Sequence, residues 1–319
     1  VMDSSAIADR RQMRRKLGFW RIVAVLLLVA LGFALYRFFA ADLPDARGPQ
    51  IARVTISGLI QDDPELLERL KKIRDNDQVK ALIVSISSTG GTTYGGERIF
   101  KAIRAVAAKK PVVSDIRTVA ASAGYMIATA GDDIVAGDTS ITGSIGVIFQ
   151  YPQVKDLLDK VGVSLDEIKS APLKAEPSPF HPASEEARNM IRNMVMDSYG
   201  WFVDLVADRR KLPRGEVLKL ADGSIFTGRQ ALENKLIDML GGEDEILSYL
   251  ETRKVKKDLP IVDWKREDKT ASFFWPGAAS WLLNRLGYDD LIKGESLQKI
   301  MTDKLFLDGL LSVWQGAAN

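Results

Sequence analysis

From Ile51 onward, short runs rich in valine and isoleucine alternate with stretches of helical spacing, and this alternation restricts the chain more than any other feature. Ile51–Ser57 and Ala81–Ile86 read as strands, the second a continuous apolar run suited to a parallel strand buried on both faces. Between them, Pro64–Arg74 places Leu66, Leu67 and Leu70 at helical spacing. The pattern continues with a helix at Tyr94–Ala108, a strand at Val112–Ile116, a helix at Ser122–Ala130 and strands at Asp133–Ala136 and Ile145–Phe149. A helix at Val154–Val161 and a strand around Ser164–Lys169 follow. The helices Ala183–Arg210, Arg214–Ala221 and Arg229–Asn234 then pack over the sheet. Strand–helix alternation of this length predicts an α/β fold with right-handed crossovers. No internal repeat or low-complexity tract interrupts it.

Ahead of this region the chain is built differently. Arg10, Arg11, Arg14, Arg15, Lys16 and Arg21 precede Ile22–Tyr36, a stretch without a charge. An anchor is expected at 18–41: one helix over Gly18–Ala40 would span about 34 Å, enough to cross a bilayer if the flanking arginines snorkel. A cleaved leader fits less well, because Phe38 or Phe39 falls at −3 for cuts after Ala40 or Ala41. The basic flank at 1–17 is expected to stay in the cytoplasm, which puts the rest on the other side of the membrane. Residues 42–50 read as a linker and 51–253 as the main domain. The tail, 254–319, is charged at first and then carries Ser272-Phe273-Phe274-Trp275-Pro276, a helix at Ala278–Leu286 and an amphipathic piece at Ile300–Trp314. That tail either packs on its own domain or docks neighbouring subunits or the membrane interface.

Composition removes several kinds of chemistry. The 319 residues contain no cysteine and a single histidine, His181, in a stiff Pro-Phe-His-Pro setting. Thiolate zinc sites, disulfides and a cysteine nucleophile are therefore excluded, and a histidine-based metal site is not expected. A Ser-His-Asp triad would have to use His181. The net charge of +2, with the basic residues crowded near the start, gives no case for nucleic-acid binding. A nucleophile in this chain needs a base other than histidine.

Four segments could supply such a site. Ser87-Ser88-Thr89-Gly90-Gly91 follows a strand and precedes a helix, where paired glycines can aim N–H groups outward for an oxyanion or simply make a βα turn. Val119-Ala120-Ala121-Ser122-Ala123-Gly124-Tyr125 surrounds a serine with small residues at the start of an apolar helix. That serine is either a plain N-cap or a nucleophile with the Ala123 N–H beside its oxyanion. It is not the Gly-x-Ser-x-Gly elbow. Thr142-Gly143-Ser144-Ile145-Gly146-Val147 alone reads as a turn. Lys169-Ser170-Ala171-Pro172-Leu173-Lys174-Ala175-Glu176-Pro177 is a proline-stiffened loop able to hold an amine in place. A lysine base must be neutral. Lowering its pKa from about 10.4 to about 7 requires about 4–5 kcal/mol, within what burial supplies.

Together these segments resemble the signal peptide peptidase (SppA) family of serine peptidases over roughly Ile51 to Leu250. The family's Ser-Pro-Gly-Gly stands here as Ser88-Thr89-Gly90-Gly91, and its Ala-Ser-Gly-Gly-Tyr as Ala121-Ser122-Ala123-Gly124-Tyr125. Thr142–Val147 matches Thr-Gly-Ser-Ile-Gly-Val. The loop is similar to Lys-Ser-Gly-x-x-Lys, and Thr227–Ala231 with Leu236-Ile237-Asp238 matches a further stretch without catalytic duty. The resemblance implies a crotonase/Clp-protease-like ββα superhelix, a Ser122 nucleophile and Lys174, not Lys169, as general base. It further implies that Ser144 orients the lysine, and that backbone N–H groups of Ala123 and of Gly90 or Gly91 form the oxyanion hole. No cofactor or metal is implied. Substrates would be cleaved signal peptides or other short apolar peptides near the membrane, and the assembly a ring-like homo-oligomer. A crotonase-type acyl-CoA enzyme, a scaffold that lost the chemistry and a protease dedicated to one membrane-protein partner are the competing expectations.

Overall fold

The computed structural model describes residues 20–34, 48–266 and 310–313. Residues 20–34 form a helix, α1, whose apolar side chains, among them Leu26, Leu27, Leu28 and Phe33, are exposed. Among the described residues no helix is long and apolar enough to cross a membrane. The rest of the expected 18–41 anchor, the basic 1–17 segment and the expected tail helix Ala278–Leu286 lie outside the described residues.

The unit that begins at Gln50 is a mixed α/β sheet covered by helices. In chain order its elements are β1 (Gln50–Ile60), α2 (Pro64–Asp75), β2 (Val79–Thr92), α3 (Thr93–Ala107), β3 (Val112–Ala121), α4 (Ala123–Ala128), β4 (Asp133–Ala136) and β5 (Ile141–Gly143). Then come α5 (Lys155–Val161), α6 (Glu185–Arg210), α7 (Arg214–Leu220), β6 (Ile225–Thr227), α8 (Gly228–Glu233), β7 (Met239–Leu240), α9 (Glu243–Thr252), β8 (Ile261–Asp263) and β9 (Leu311–Val313). The main strand order is β6-β5-β3-β2-β1-β8. All pairings are parallel except β5 with β6 and β2 with β9.

The apolar runs form these strands because both faces of the sheet are covered. Leu82, Val84 and Ile86 of β2 pack toward Leu66, Leu70, Ile99 and Ile103 of α2 and α3. The alternate residues Ala81 and Ile83 pack toward Ile246 and Leu250 of α9. Local signals set the helix starts. Asp63 accepts the Leu66 N–H at 2.9 Å ahead of Pro64, and Thr92 accepts the Gly95 N–H at 3.1 Å.

Strand β3 forks. Its first half, Val113–Ile116, pairs with β4, and its second half, Val119–Ala121, pairs with β5. The fork leaves the end of β3 pointing out of the sheet at Ser122. Past the last β2–β3 pair, Ser88 with Ala120, the edge of β2 is taken instead by β9, with Gly90 opposite Val313 and Thr92 opposite Leu311.

Several expectations change. Ile145–Phe149 is not a strand: the sheet partner is Ile141–Gly143, and after Ser144 the chain leaves the ladder to line a cleft. Ser164–Lys169 is not a strand either. Its apolar side chains Leu165 and Ile168 face solvent. Within the amphipathic piece expected at Ile300–Trp314, residues 311–313 are a strand, drawn into that conformation by the open edge of β2. Strand β8 joins β1, so the sheet reaches Asp263, beyond the 51–253 span expected for the domain.

Candidate active site

Ser122 joins β3 to α4 and stands outside the helix that the sequence assigns to it. Its backbone has φ 58° and ψ −118°, and its side chain makes no helix cap. A non-glycine residue there is strained by about 1–3 kcal/mol and persists only where the surroundings enforce it. Those surroundings are identifiable. The Ser122 N–H donates to Gly143 O at 2.8 Å, and the Met126 N–H donates to Ser122 O at 2.9 Å. The result is a sharp strand-to-helix turn of the kind that can present a nucleophile, reached without the glycines that usually mark it.

Close packing holds the turn. A Cβ on Gly124 would lie 2.8 Å from the Ser88 carbonyl oxygen, so α4 sits directly on β2. Tyr125 is fully buried, and its hydroxyl donates to Leu236 O at 2.8 Å; burial raises its pKa. At the far end of α4, Arg209 donates to Thr129 O and Gly131 O at 2.7 and 2.8 Å, and Arg104 donates to Ala130 O at 2.9 Å. Guanidinium groups at a helix C-terminus satisfy its orphan carbonyls. Asp238 receives a two-armed contact from Arg210 at 2.8 and 2.9 Å and the Ile134 N–H at 2.8 Å, which gives the Leu236-Ile237-Asp238 stretch a structural duty.

Ser122 and Ser144 line one cleft of about 350 Å³ together with Ile145, Ile148, Met196 and Tyr199. Ser144, with φ 50°, is held by its N–H donating to Ser224 O at 2.7 Å. Gly143 carries φ 89° and has Phe226 so close that a Cβ would lie 2.7 Å from the ring, so glycine is required there. Val147, Ile148 and Val195 also wall a second cleft of about 310 Å³ that reaches Pro177, and the two make a mainly apolar path from Ser122 toward the lysine loop. A larger cleft, about 950 Å³, opens beside β1 and α2. It holds none of the expected site residues, and two of the charged residues on its wall pair with each other, Arg266 with Glu65.

The other expected residues are placed unequally. Ala123 follows Ser122 at the start of α4 and is fully buried. Gly90 has φ 114° and donates its N–H to Ser88 Oγ at 3.1 Å, while the Ser88 hydroxyl donates to Gly58 O at 2.6 Å. Gly91 stands between Ile60 and Ser312 in the sheet. Lys174 is exposed, is not on the wall of the Ser122 cleft, and its side chain has no hydrogen-bond or ion-pair partner among the described residues. One chain thus brings Ser122 and Ser144 together but leaves Lys174 on an outward arm. His181 faces Glu176, 3.2 Å away, and does not line the Ser122 cleft. Sequence reasoning did not find the roles of Arg104, Arg209, Met196 and Tyr199, which come from helices distant in the chain. Among the described residues no cluster suited to a metal ion occurs.

The family model for peptidase family S49 matches residues 104–257. An Enterococcus faecium protein bearing the name signal peptide peptidase SppA is 33% identical over 273 residues, 81% of this chain and 77% of that one. A Synechocystis protein named as the protease slr0021 is 38% identical over 205 residues, 64% of this chain and 74% of that one. Protease 4 of Haemophilus influenzae is 31% identical over 229 residues, and the match covers 71% of this chain but 35% of that longer protein.

Proposed function

The chain belongs to the SppA group of peptidase family S49 and is a serine protease, and on that premise we propose that Ser122 is its nucleophile and Lys174 its general base. The observation that carries the reading is the strained turn that holds Ser122 over an apolar cleft. Ser122 Oγ attacks the scissile carbonyl carbon while Lys174 Nζ takes the hydroxyl proton. The tetrahedral intermediate collapses, the peptide C–N bond breaks, and the leaving amine receives that proton from Lys174. Water, deprotonated by the same amine, then attacks the acyl carbon, and the Ser122 oxygen leaves and takes back its proton from Lys174. The oxyanion is held by the Ala123 N–H and by the glycine pair. Ser144, on the same cleft wall, orients the lysine.

A lysine that acts as a base must be desolvated. The arm that carries Lys174 exposes Leu157, Val161, Leu165, Ile168 and Leu173, more apolar surface than a lone chain has reason to show. In our reading the protein is a homo-oligomer, and Lys174 meets Ser122 of an adjacent copy. The fold would then be the crotonase-like superhelix that the family resemblance implies. Substrates are extended, apolar peptides such as signal-peptide remnants. They add as a strand along Gly90–Thr92, an edge that accepts an extended segment in β9. Residues 18–41 anchor the chain in the bilayer, with the protease domain on the extracytoplasmic side.

Three samples test this: Ser122→Ala, Lys174→Ala and an equimolar mixture of the two, assayed on a fluorogenic apolar peptide. Each variant alone is expected to be inert, and the mixture to regain activity as mixed assemblies pair an intact Ser122 with an intact Lys174. Full activity in either single variant would sink the dyad. A silent mixture that exchanges subunits would place both groups in one chain.

A further inference from the structure

The lysine loop holds a second lysine that the dyad does not use. Lys169 Nζ lies 2.6 Å from Glu167 Oε2, 2.8 Å from Glu176 Oε1 and 3.3 Å from His181 Nε2. Glu176 is almost fully enclosed, its side chain 6% exposed. Ser178 ties the same carboxylates from below: its N–H donates to Glu176 Oε2 at 3.3 Å and its hydroxyl to Glu167 Oε1 at 3.3 Å. Two more bonds fasten this stem to the start of α5, Gln153 Nε2 to Ser178 O at 2.9 Å and the Val154 N–H to Pro179 O at 2.8 Å.

Residues 167–169 and 176–181 are thereby joined across the base of the loop 170–175, at whose tip Lys174 stands. Within that loop the Lys174 N–H donates to Ala171 O at 3.0 Å, and Ala175 takes φ 61°. A loop without such a closure would sample many positions of its tip. The charges reinforce one another. Hydrogen bonds from Lys169 hold both carboxyls below their usual range, and the carboxylates, Glu167 foremost, push the lysine up, so the clamp stays ionised around neutral pH.

We propose that Lys169 is a positioning residue: paired with Glu167 and Glu176, it closes the stem that aims Lys174. This rests on the reading of Lys174 as the base. It makes the first lysine of the motif a structural counterpart of the second. The clamp acts on the placement of the amine and leaves the substrate cleft untouched, so its loss should appear in kcat and not in KM.

The test uses the full chain, a fluorogenic apolar peptide and parallel thermal unfolding. Lys169→Met is expected to lower kcat about 10- to 100-fold, the range that misplacing a reacting group by up to 1 Å produces, with KM within about threefold. Its thermal midpoint should stay near that of the parent, and the limb of the pH–kcat profile that reports the base should move. Lys169→Arg, which keeps the charge between the two carboxylates, should recover most of the loss. Glu176→Gln should repeat the kcat-only loss, so misfolding of Lys169→Met alone would not shield the idea. An unchanged kcat in folded Lys169→Met or in Glu176→Gln, beside an inert Lys174→Ala, overturns the clamp and leaves the dyad standing. A loss confined to KM, or one that Lys169→Arg does not recover, overturns it too. Full activity in Lys174→Ala removes the dyad and the clamp's purpose together.

Discussion

Replacing Gly124 by alanine tests how tightly Ser122, the proposed nucleophile, is positioned. Alanine suits the backbone of a helix better than glycine by about 0.5–1 kcal/mol, so on propensity alone the change should stabilise α4. Packing opposes it. The new Cβ would stand 2.8 Å from the Ser88 carbonyl oxygen, against about 3.3 Å for an unforced carbon–oxygen contact. That oxygen cannot swing aside: β2 is paired with β1 and β3, and the Ser88 hydroxyl is itself bonded to Gly58 O. The helix must therefore retreat by roughly half an ångström, an overpacking strain of about 1–3 kcal/mol that outweighs the propensity gain. Ser122 and Ala123 move with it, away from Gly90 and Gly91. Scaling from about a hundredfold per ångström, kcat/KM should fall about tenfold. Peptide hydrolysis and the urea midpoint measure the two effects. Gly215→Ala in α7 is the control, because a Cβ there meets nothing within 4 Å and should be neutral or mildly stabilising. If Gly124→Ala were more stable than the parent and equally active, the reasoning would be refuted and Ser88 shown to yield.

Two further expectations follow from other parts of the molecule. Burial, with help from Asp238 and against Arg210, raises the pKa of Asp133 to about 6. Between pH 4 and 6 the folded state thus holds a proton that the unfolded state has lost, and stability falls as pH rises through that window. Asp133→Asn should stabilise the protein at pH 7 by about 1–2 kcal/mol, allowing for solvent screening, and change little at pH 4; equal stability of the two proteins at pH 7 would count against it. Removing residues from Leu310 onward should free the β2 edge and lower KM for peptides severalfold, since β9 occupies the line where a substrate would add. An unchanged KM would mean that substrates take another path.

Much of the sheet was legible because parallel strands are buried on both faces. Ala81–Ile86 could hardly be anything else once Pro64–Arg74 and Tyr94–Ala108 marked helices on either side. The same rule misled at Ile145–Phe149, where an apolar run of strand-like composition lines a cleft, and periodicity cannot tell a cleft wall from a sheet interior. Ser122 was legible as a serine among small residues, but its position outside the helix was not. Its dihedral is imposed by the Gly143 carbonyl and by contact with β2, neither of which is local in sequence. The family resemblance pointed to Lys174, yet a motif match carries no information about which chain a loop reaches, and in one chain Lys174 stays on the outward arm. The Lys169 cluster escaped notice because its partners are ordinary charges scattered through a loop, and only folding gathers them.

The left-handed backbone at Ser122 also bears on how this sequence can drift. A residue with a Cβ sits there at a thermodynamic disadvantage that glycine would not share. While peptide cleavage is under selection, the hydroxyl outweighs the strain. Once it is not, the substitution that most improves folding is also the one that, on the proposed mechanism, ends catalysis. Duplicated copies released from proteolytic duty should therefore lose this serine early, and to glycine more readily than to alanine. A glycine after the small-residue run that ends β3 would mark a lineage that kept the fold and gave up cutting.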